Sequence, residues 1–502
     1  MATTIDILFL LPPLTILLLT IITFTFPHRS QITKLPPTPP RLPLIGHIPH
    51  LAGKLPHRAL AGLARKYGPI LHLHLGQVPA VLISSPPLAG ELLKVQDPAC
   101  ADRPDSIGIR ILCYNNSDIV SSPYGGYWRQ MRKICIIEML SSKNVRSFCR
   151  IREDEVARFV ESIFASSAAG ESPAVDVSDR IFRLTSSVVS RVAFGRAVGG
   201  RDELLGMIDT ALTMAVGLEL PDIFPALSAA ARVLSWNERR LRRLQGKIDG
   251  VLDGILEEHR RRRSGEFGGE DIVDVLVRVK DSGDLQFPIT DDHIKAVILD
   301  MFSGGTDTSS TTIDWAMAEL MRNPSAMAKA QVEVREAFKG KKTIQESDII
   351  GLKYLKLIIK ETLRLHPPVP IIFRATRNEC VVDEYIIPEK YKVLINVWSI
   401  GRDPAYWQHP EAFQPERFEN SSIDFFGNNF EFVPFGSGRR MCPGINFGLA
   451  NIEFPLAQLL FHFDWKMPDG KTPDDIDMTE GNGIVVSRKN GLFLIPTPYN
   501  SS

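Results

Sequence analysis

Between Ile7 and Phe26 the chain reads ILFLLPPLTILLLTIITFTF, twenty residues without a charge. As a helix rising 1.5 Å per residue this stretch covers the roughly 30 Å hydrocarbon core of a bilayer, so a single membrane span is expected. Pro12 and Pro13 weaken its start, which a spanning helix tolerates better than a soluble one. A cleaved signal peptide would carry its cations first, whereas here Asp6 precedes the stretch and His28, Arg29 and Lys34 follow it. That order puts the following residues on the cytosolic side. Next comes Leu35-Pro36-Pro37-Thr38-Pro39-Pro40-Arg41-Leu42-Pro43, too rich in proline for helix or central strand and read as an extended, semi-rigid spacer. The division expected is an anchor over 1–27, a basic proline-rich hinge over 28–46 and a body over 47–502.

The body is large, and 44% hydrophobic and 23% charged residues are ample for a packed core. Lys+Arg and Asp+Glu both number 58, so bulk charge gives no reason to expect nucleic acid as a partner. Six cysteines (Cys100, Cys113, Cys135, Cys149, Cys380, Cys442) lie far apart, with no C-x-x-C pair, which argues against a disulfide framework or a zinc site. Free thiols fit a reducing cytosol. On this topology the formal glycosylation acceptors at Asn115 and Asn420 stay bare. Length alone would suggest about three domains, but no second linker or internal repeat interrupts the body. Apolar spacing of three and four in DEVARFVESIF, KIDGVLDGILEEH and DIVDVLVRVK predicts helices from about Asp154 to His366. Strand-like runs sit toward the ends, at ILHLHLG, AVLISS, YKVLINVW and GIVVSRKNGLFLIP. The fold class expected is mainly α with small β-sheets in one large domain. The arginines of Arg260–Arg263 beside a glycine-rich loop read as a solvated helix end.

One cysteine has a special setting. Phe435-Gly436-Ser437-Gly438-Arg439-Arg440-Met441-Cys442-Pro443-Gly444 precedes INFGLANIEFPLAQLLFHF, which reads as a helix. A glycine-rich turn entering a helix presents N–H groups and a positive dipole end to the Cys442 sulfur, and both favour thiolate. Such a thiolate suits the axial position of haem iron, with Gly444 allowing close approach of backbone to the macrocycle and Arg440 available to a propionate. The segment matches F-x-x-G-x-R-x-C-x-G at Phe435, Gly438, Arg440, Cys442 and Gly444. In this, and along its whole length, the chain resembles the cytochrome P-450 monooxygenases, closest to plant microsomal enzymes of terpenoid and alkaloid metabolism.

The resemblance reorders the other motifs. Taken locally, Gly304-Gly305-Thr306-Asp307-Thr308-Ser309 reads as a loop or N-cap. It is similar to the family's central-helix motif, which implies an unbroken helix from about His293 to Arg322 with Asp307 and Thr308 as an acid–alcohol proton relay. Glu361 and Arg364 lie three apart on one helix face, and with Arg417 they match a buried Glu–Arg–Arg network that holds the core. Trp128 and Arg132 share a face at i,i+4. The resemblance makes haem propionates their target, joined by Arg374 and Arg440. Around Arg374 the flanking Phe373 and Ala375 replace the usual Pro and Glu. By resemblance the substrate wall includes Ile109, Ile111, Ile298, Phe302, Val369, Ile372, Ile484 and Val485, mostly aliphatic residues suited to a lipophilic molecule.

No G-x-G-x-x-G follows a strand and no phosphate-binding P-loop occurs, so the chain has no nicotinamide or flavin site of its own. The resemblance implies haem b with a cysteine thiolate, and NADPH acting indirectly through membrane-bound NADPH–cytochrome P-450 reductase, with cytochrome b5 as a further donor. Arg129, Lys133 and Arg439 are expected on the face that docks this acidic partner. The location implied is the endoplasmic reticulum membrane, single-pass, with the catalytic domain in the cytosol. The activity implied is hydroxylation of a terpenoid of the sesqui- or diterpenoid class, with alkaloid hydroxylation second. A reductase-independent haem-thiolate isomerase and a membrane-tethered haem or ligand carrier stand as more distant alternatives.

Overall fold

The computed structural model describes residues 34–167, 174–195, 201–215, 220–227, 236–261, 270–283, 285–341, 343–468 and 470–499. The expected span at Ile7–Phe26 and the cations His28 and Arg29 lie outside the described residues. Among those described, no helix is long and apolar enough to cross a membrane.

The proline segment is extended, as its composition requires, but from Lys34 onward it lies along the body. Carbonyls of its prolines accept hydrogen bonds: Pro37 from the His72 N–H at 2.8 Å, and Pro39 and Pro40 pair with the rings of His47 and His50 at 3.0 and 2.9 Å. Proline has no N–H to give, so the contacts run one way, from body to neck.

The principal elements follow in chain order: α1 (Pro56–Tyr67), β1 (Ile70–Leu75), β2 (Val78–Ile83), α2 (Ile107–Leu112), α3 (Gly126–Ile134), α4 (Cys149–Ser167), α5 (Val177–Phe194), α6 (Arg201–Ala215), α7 (Leu220–Ile223), α8 (Trp236–Arg261), α9 (Asp291–Arg322), α10 (Lys353–Leu365), β3 (Ile371–Ala375), β4 (Lys392–Asn396), α11 (Ile445–His462), β5 (Phe463–Lys466) and β6 (Phe493–Pro498). Local chemistry sets many of the boundaries. Asp176 caps α5 by accepting the Asp179 N–H, and Gly195 ends it in the left-handed conformation at φ +71°. Thr290 caps α9 with Asp291 and Asp292 in its first turn, where the helix dipole favours them. The cations Arg260 and Arg261 close α8 and pair with Asp291 and Glu257, as a solvated helix end should.

β1 and β2 form a hairpin, β4 pairs parallel to β2 with Val81 opposite Val393, and β3 pairs antiparallel to β4 with Arg374 opposite Val393. This sheet ties the early hairpin to strands some three hundred residues later. The GIVVSRKNGLFLIP run is a strand only over its second half, β6, which pairs with β5. Its first half, Gly483–Val486, is turns, because the segment folds back so that Glu480 bridges Arg488. All six cysteines are free, with the Cys100 and Cys380 sulfurs 3.4 Å apart.

α9 runs through the helical core between α5 and α11, with Trp315 stacked on His366 and Phe302 on Phe194. Beneath it Glu361 on α10 is fully buried and accepts from Arg364 Nε and Nη2 at 2.7 and 2.8 Å and from Arg417 Nε at 2.9 Å. The remaining guanidinium donors go to carbonyls of Gly401, Pro410, Ala412 and Gln408. A carboxylate buried this deeply is tolerable only while both cations are present. Glu361→Gln is therefore expected to lower unfolding free energy by about 3–5 kcal/mol in urea titrations. Lys329→Ala, which breaks an exposed pair with Glu416, should cost under about 1 kcal/mol.

Candidate functional site

The loop before α11 is built on two glycines in the left-handed region, Gly436 at φ +71° and Gly438 at +69°. A Cβ on Gly438 would lie 2.3 Å from the Leu93 carbonyl oxygen, so no other residue fits. Asp97 fastens the same point by accepting the Arg439 N–H at 3.0 Å and its Nη1 at 2.8 Å. The loop closes where the Cys442 N–H donates to the Phe435 carbonyl at 2.9 Å. Gly444 caps α11, and its N–H points at the Cys442 sulfur. Burial pushes the Cys442 thiol up, while the Gly444 N–H and the Arg132 guanidinium pull it back toward thiolate.

Four arginines converge near this loop. Arg132 on α3 donates to the Met441 carbonyl, next to Cys442. Arg440, nearly buried, gives its donors to the carbonyls of Ala101, Ile119 and Ser122 and stacks on the Trp128 ring at 4.2 Å. Arg374 on β3 is 1% exposed and makes one bond, to the Ser437 carbonyl at 3.1 Å, which leaves Nε and Nη1 unpartnered. The fourth, Arg103, donates to carbonyls of Val120 and Phe373. It is half-buried, as is Cys442. Burial and mutual repulsion hold these cations below their ordinary values, Arg440 at about 9 and Arg103 at about 10. Arg374 is depressed most strongly, with Arg103 and Arg440 both acting on it. Guanidinium does not give up its proton in proteins, so the depression measures positive charge that still lacks an anion.

Trp128 is buried among them, but its indole N–H is donated to the Ile119 carbonyl at 2.9 Å, and it serves here as the face on which Arg132 and Arg440 rest. Sequence reasoning did not find Arg103. Its setting, Ala101-Asp102-Arg103-Pro104, has no periodicity or spacing that marks it, and it joins the cluster only through the fold.

Across α11, α9 is helical without interruption through Gly304–Ser309, so the loop suggested by local propensity is absent. Gly305 is where the two helices meet: a Cβ there would press on Val189 at 3.0 Å and Phe447 at 3.3 Å. One residue earlier, Gly304 is exposed between half-buried Ser303 and Gly305, and its carbonyl accepts the Thr308 hydroxyl at 2.6 Å. It is the i−4 return bond that Ser303 and Thr312 also make on this helix. Asp307 points elsewhere, into a small cavity shared with Phe182, Ile208, Asp209, Phe302, Ser303 and Thr306. Burial, with some repulsion from Asp209, raises its carboxyl to about 7.

The eight wall residues expected from the sequence divide. Ile109, Ile111, Val369, Ile372, Ile484 and Val485 keep accessible surface, whereas Ile298 and Phe302 are each 1% exposed within the helical core. The three cations expected on a docking face, Arg129, Lys133 and Arg439, are all exposed, with Arg129 over the Tyr124 ring at 5.6 Å and Arg439 paired with Asp97.

With this geometry in hand, comparison with known proteins is direct. Residues 36–495 match the family model described as Cytochrome P450. The chain is 55% identical over 468 residues to cytochrome P450 71D13 of Mentha piperita, covering 93% of each. It is 52% identical to a premnaspirodiene oxygenase of Hyoscyamus muticus and 51% identical to a 5-epiaristolochene 1,3-dihydroxylase of Nicotiana tabacum, covering 94% of this chain and 95% of each relative. A solved zebrafish cytochrome P450 structure with progesterone superposes with a TM-score of 0.74 at 24% identity, over 88% of this chain and 99% of that one, a likeness of fold. A half-buried cysteine at a helix start, a cluster of four arginines and a long central helix bearing Asp307 and Thr308 are thus set in a chain that belongs to the cytochrome P450 family of haem-thiolate monooxygenases.

Proposed function

We propose that this chain hydroxylates a terpenoid, of the sesqui- or diterpenoid class, with Cys442 as the thiolate ligand of its haem. The observation that carries the reading is the pair of unpartnered donors on buried Arg374, amid three more arginines and beside the Cys442 loop. A group with two carboxylates and an iron that takes a thiolate fits those demands together. Arg374, Arg132, Arg440 and Arg103 would answer the propionates; Phe435, Gly438 and Gly444 shape the loop that offers the sulfur. Haem, when bound, supplies oxidation of an unactivated C–H bond using dioxygen.

What the chain's own residues do follows from their chemistry. The partly exposed aliphatic set Ile109, Ile111, Val369, Ile372, Ile484 and Val485 excludes water and orients an apolar substrate. Thr308 donates its hydroxyl to the Gly304 carbonyl, and Asp307, the next residue back along the helix and with its proton held to about 7, supplies protons. The terpenoid class rests on the relatives, whose names include an oxygenase of premnaspirodiene and a dihydroxylase of 5-epiaristolochene. Electrons come from NADPH through a reductase, and cytochrome b5 is proposed as a second donor. Docking is assigned to exposed Lys133 and Arg129, with Arg439 held by Asp97 at the edge of that surface. The chain is proposed to be anchored in the endoplasmic reticulum by residues 1–27, followed by the 28–46 hinge and a cytosolic haem domain.

The test is reconstitution with NADPH–cytochrome P-450 reductase and a panel of terpenoids and alkaloids analysed by mass spectrometry. Terpenoid products with one added oxygen are expected, and a preference for alkaloids would overturn the substrate reading. Cys442→Ser should abolish the thiolate band of the reduced-CO spectrum. Arg374→Met, which keeps the bulk and removes the cation, should lower haem retention during gel filtration, while an unchanged haem content would remove Arg374 from the site. The acid limb of Asp307 fixes a sign in pH: its proton is present below about pH 7 and lost above it, so product formed per NADPH should fall as pH rises through that value. Asp307→Asn should flatten this limb and slow product formation by about 10²-fold.

A further inference from the structure

Asp307 has a neighbour that the acid–alcohol pair leaves unexplained. The cavity it faces is walled by Phe182 from α5, Ile208 and Asp209 from α6, and Phe302, Ser303 and Thr306 from its own helix. Its volume of about 10 Å³ is that of one water position. Asp209 is exposed at its outer side, whereas Asp307 is sunk at its inner side. Between them Thr306 is 2% exposed and its Oγ1 has no hydrogen-bond partner. Ser303, Thr308 and Thr312 return their hydroxyls to the helix backbone, whereas Thr306 and Ser309 leave theirs unpaired, and of these two Thr306 is the one that lines the cavity. A buried hydroxyl left unpaired costs about 1–3 kcal/mol, which a water in the cavity would offset. Among the described residues Asp209 is the one charge that acts on Asp307; Phe182, Ile208 and Phe302 contribute apolar walls, and Ser303 is engaged with the Leu299 carbonyl.

We propose that Asp209 is the solvent-side entry of a proton path to Asp307, passing through one water that Thr306 holds in the shared cavity. The inference rests on the reading of Asp307 as a proton donor. In one pass the Asp209 carboxylate takes a proton from solvent and hands it to the water oxygen, while that water releases a different proton to the Asp307 carboxylate. Each O–H bond formed is matched by one broken, no electron moves, and Asp209 is left ready for the next proton. Burial, with repulsion from Asp209, favours the protonated form of Asp307, so a proton delivered to it is retained there. Two protons are consumed for each hydroxylation, so supply to a buried acid must be renewed from outside every turnover. Asp209 and Thr306 touch neither substrate nor cofactor; they are positioning residues for Asp307.

The experiment uses the holoenzyme reconstituted with reductase and compares Asp209→Asn, Asp209→Glu, Thr306→Val and Asp307→Asn with the wild type. Product rate, product per NADPH, the pH profile and the solvent deuterium isotope effect are read, after the reduced-CO spectrum has verified an intact haem site. Asp209→Asn should slow product formation by about tenfold, less than loss of the acid itself, because stray water still reaches Asp307. It should also raise the solvent isotope effect and divert NADPH to peroxide, and Asp209→Glu should restore both. Thr306→Val keeps the volume and should reproduce the isotope effect. A wild-type isotope effect and coupling in Asp209→Asn or Thr306→Val, with Asp307→Asn strongly impaired, would overturn this path and leave the role of Asp307 standing. Unimpaired Asp307→Asn would remove the underlying reading and the path with it.

Discussion

The structure depends on keeping a 32-residue helix, α9, continuous through a sequence that resists it. Gly304 and Gly305 each forfeit close to 1 kcal/mol of helix propensity relative to alanine, and the following Thr, Asp and Ser residues compete for the backbone. Burial against α5 and α11 overrides this, and the side chains join in. Ser303, Thr308, Ser310 and Thr312 donate their hydroxyls to carbonyls of Leu299, Gly304, Asp307 and Thr308, so most polar groups forced into the core are satisfied by the helix itself. Gly305 serves the packing directly, since the side chain it lacks is the space that Val189 and Phe447 occupy. The helix can therefore be weak by propensity at its centre only because its neighbours are shaped to that weakness.

A second constraint is charge. Arg103, Arg132, Arg374 and Arg440 gather with no carboxylate paired to their inner surfaces, though Asp97, Asp102 and Asp118 lie close enough to temper some of them. Carbonyl oxygens take most of the donors, a solvation that is geometrically good and electrically incomplete. Arg374 is the extreme case, with two donors unpaired in a site almost without solvent contact. Such an arrangement is costly for the empty protein and favourable for the loaded one, so the cofactor should contribute to the stability of the fold as well as to its chemistry.

These features differ in how far the amino-acid order alone exposes them. α11 and the strands β1 and β2 are legible because each is a local pattern, and the Cys442 loop because its glycines, its cysteine and the helix after it lie within a few residues. The Glu361 network needed Arg417 from fifty residues away, and only resemblance joined them. The parallel pairing of β2 with β4, the recruitment of Arg103 and the diversion of the Trp128 N–H to Ile119 are products of chain segments meeting from far apart, and no local window contains them. Ile298 and Phe302 illustrate a different limit: an aliphatic or aromatic residue on a long helix has the same signature whether it faces a ligand chamber or another helix. Stiff composition identified the proline neck, but not that His47, His50 and His72 would bind its carbonyls to the body.

The placement of Asp307 and Thr308 on successive positions of α9 turns them about 100° apart, so the two groups serve different sides of the helix. Thr308 bonds the Gly304 carbonyl, while Asp307 shares a cavity with Asp209 and Thr306. An acid open to solvent would be held ionised at neutral pH; an acid buried as Asp307 is holds its proton. One turn of the helix thus carries both a hydroxyl turned back on its own backbone and an acid kept protonated by burial. No described cation compensates Asp307, although Lys295, Arg374 and other buried cations show that the fold can enclose positive charge elsewhere. A basic partner would stabilise the protein by drawing the carboxyl down and would, by the same interaction, remove the proton that the site holds near neutrality.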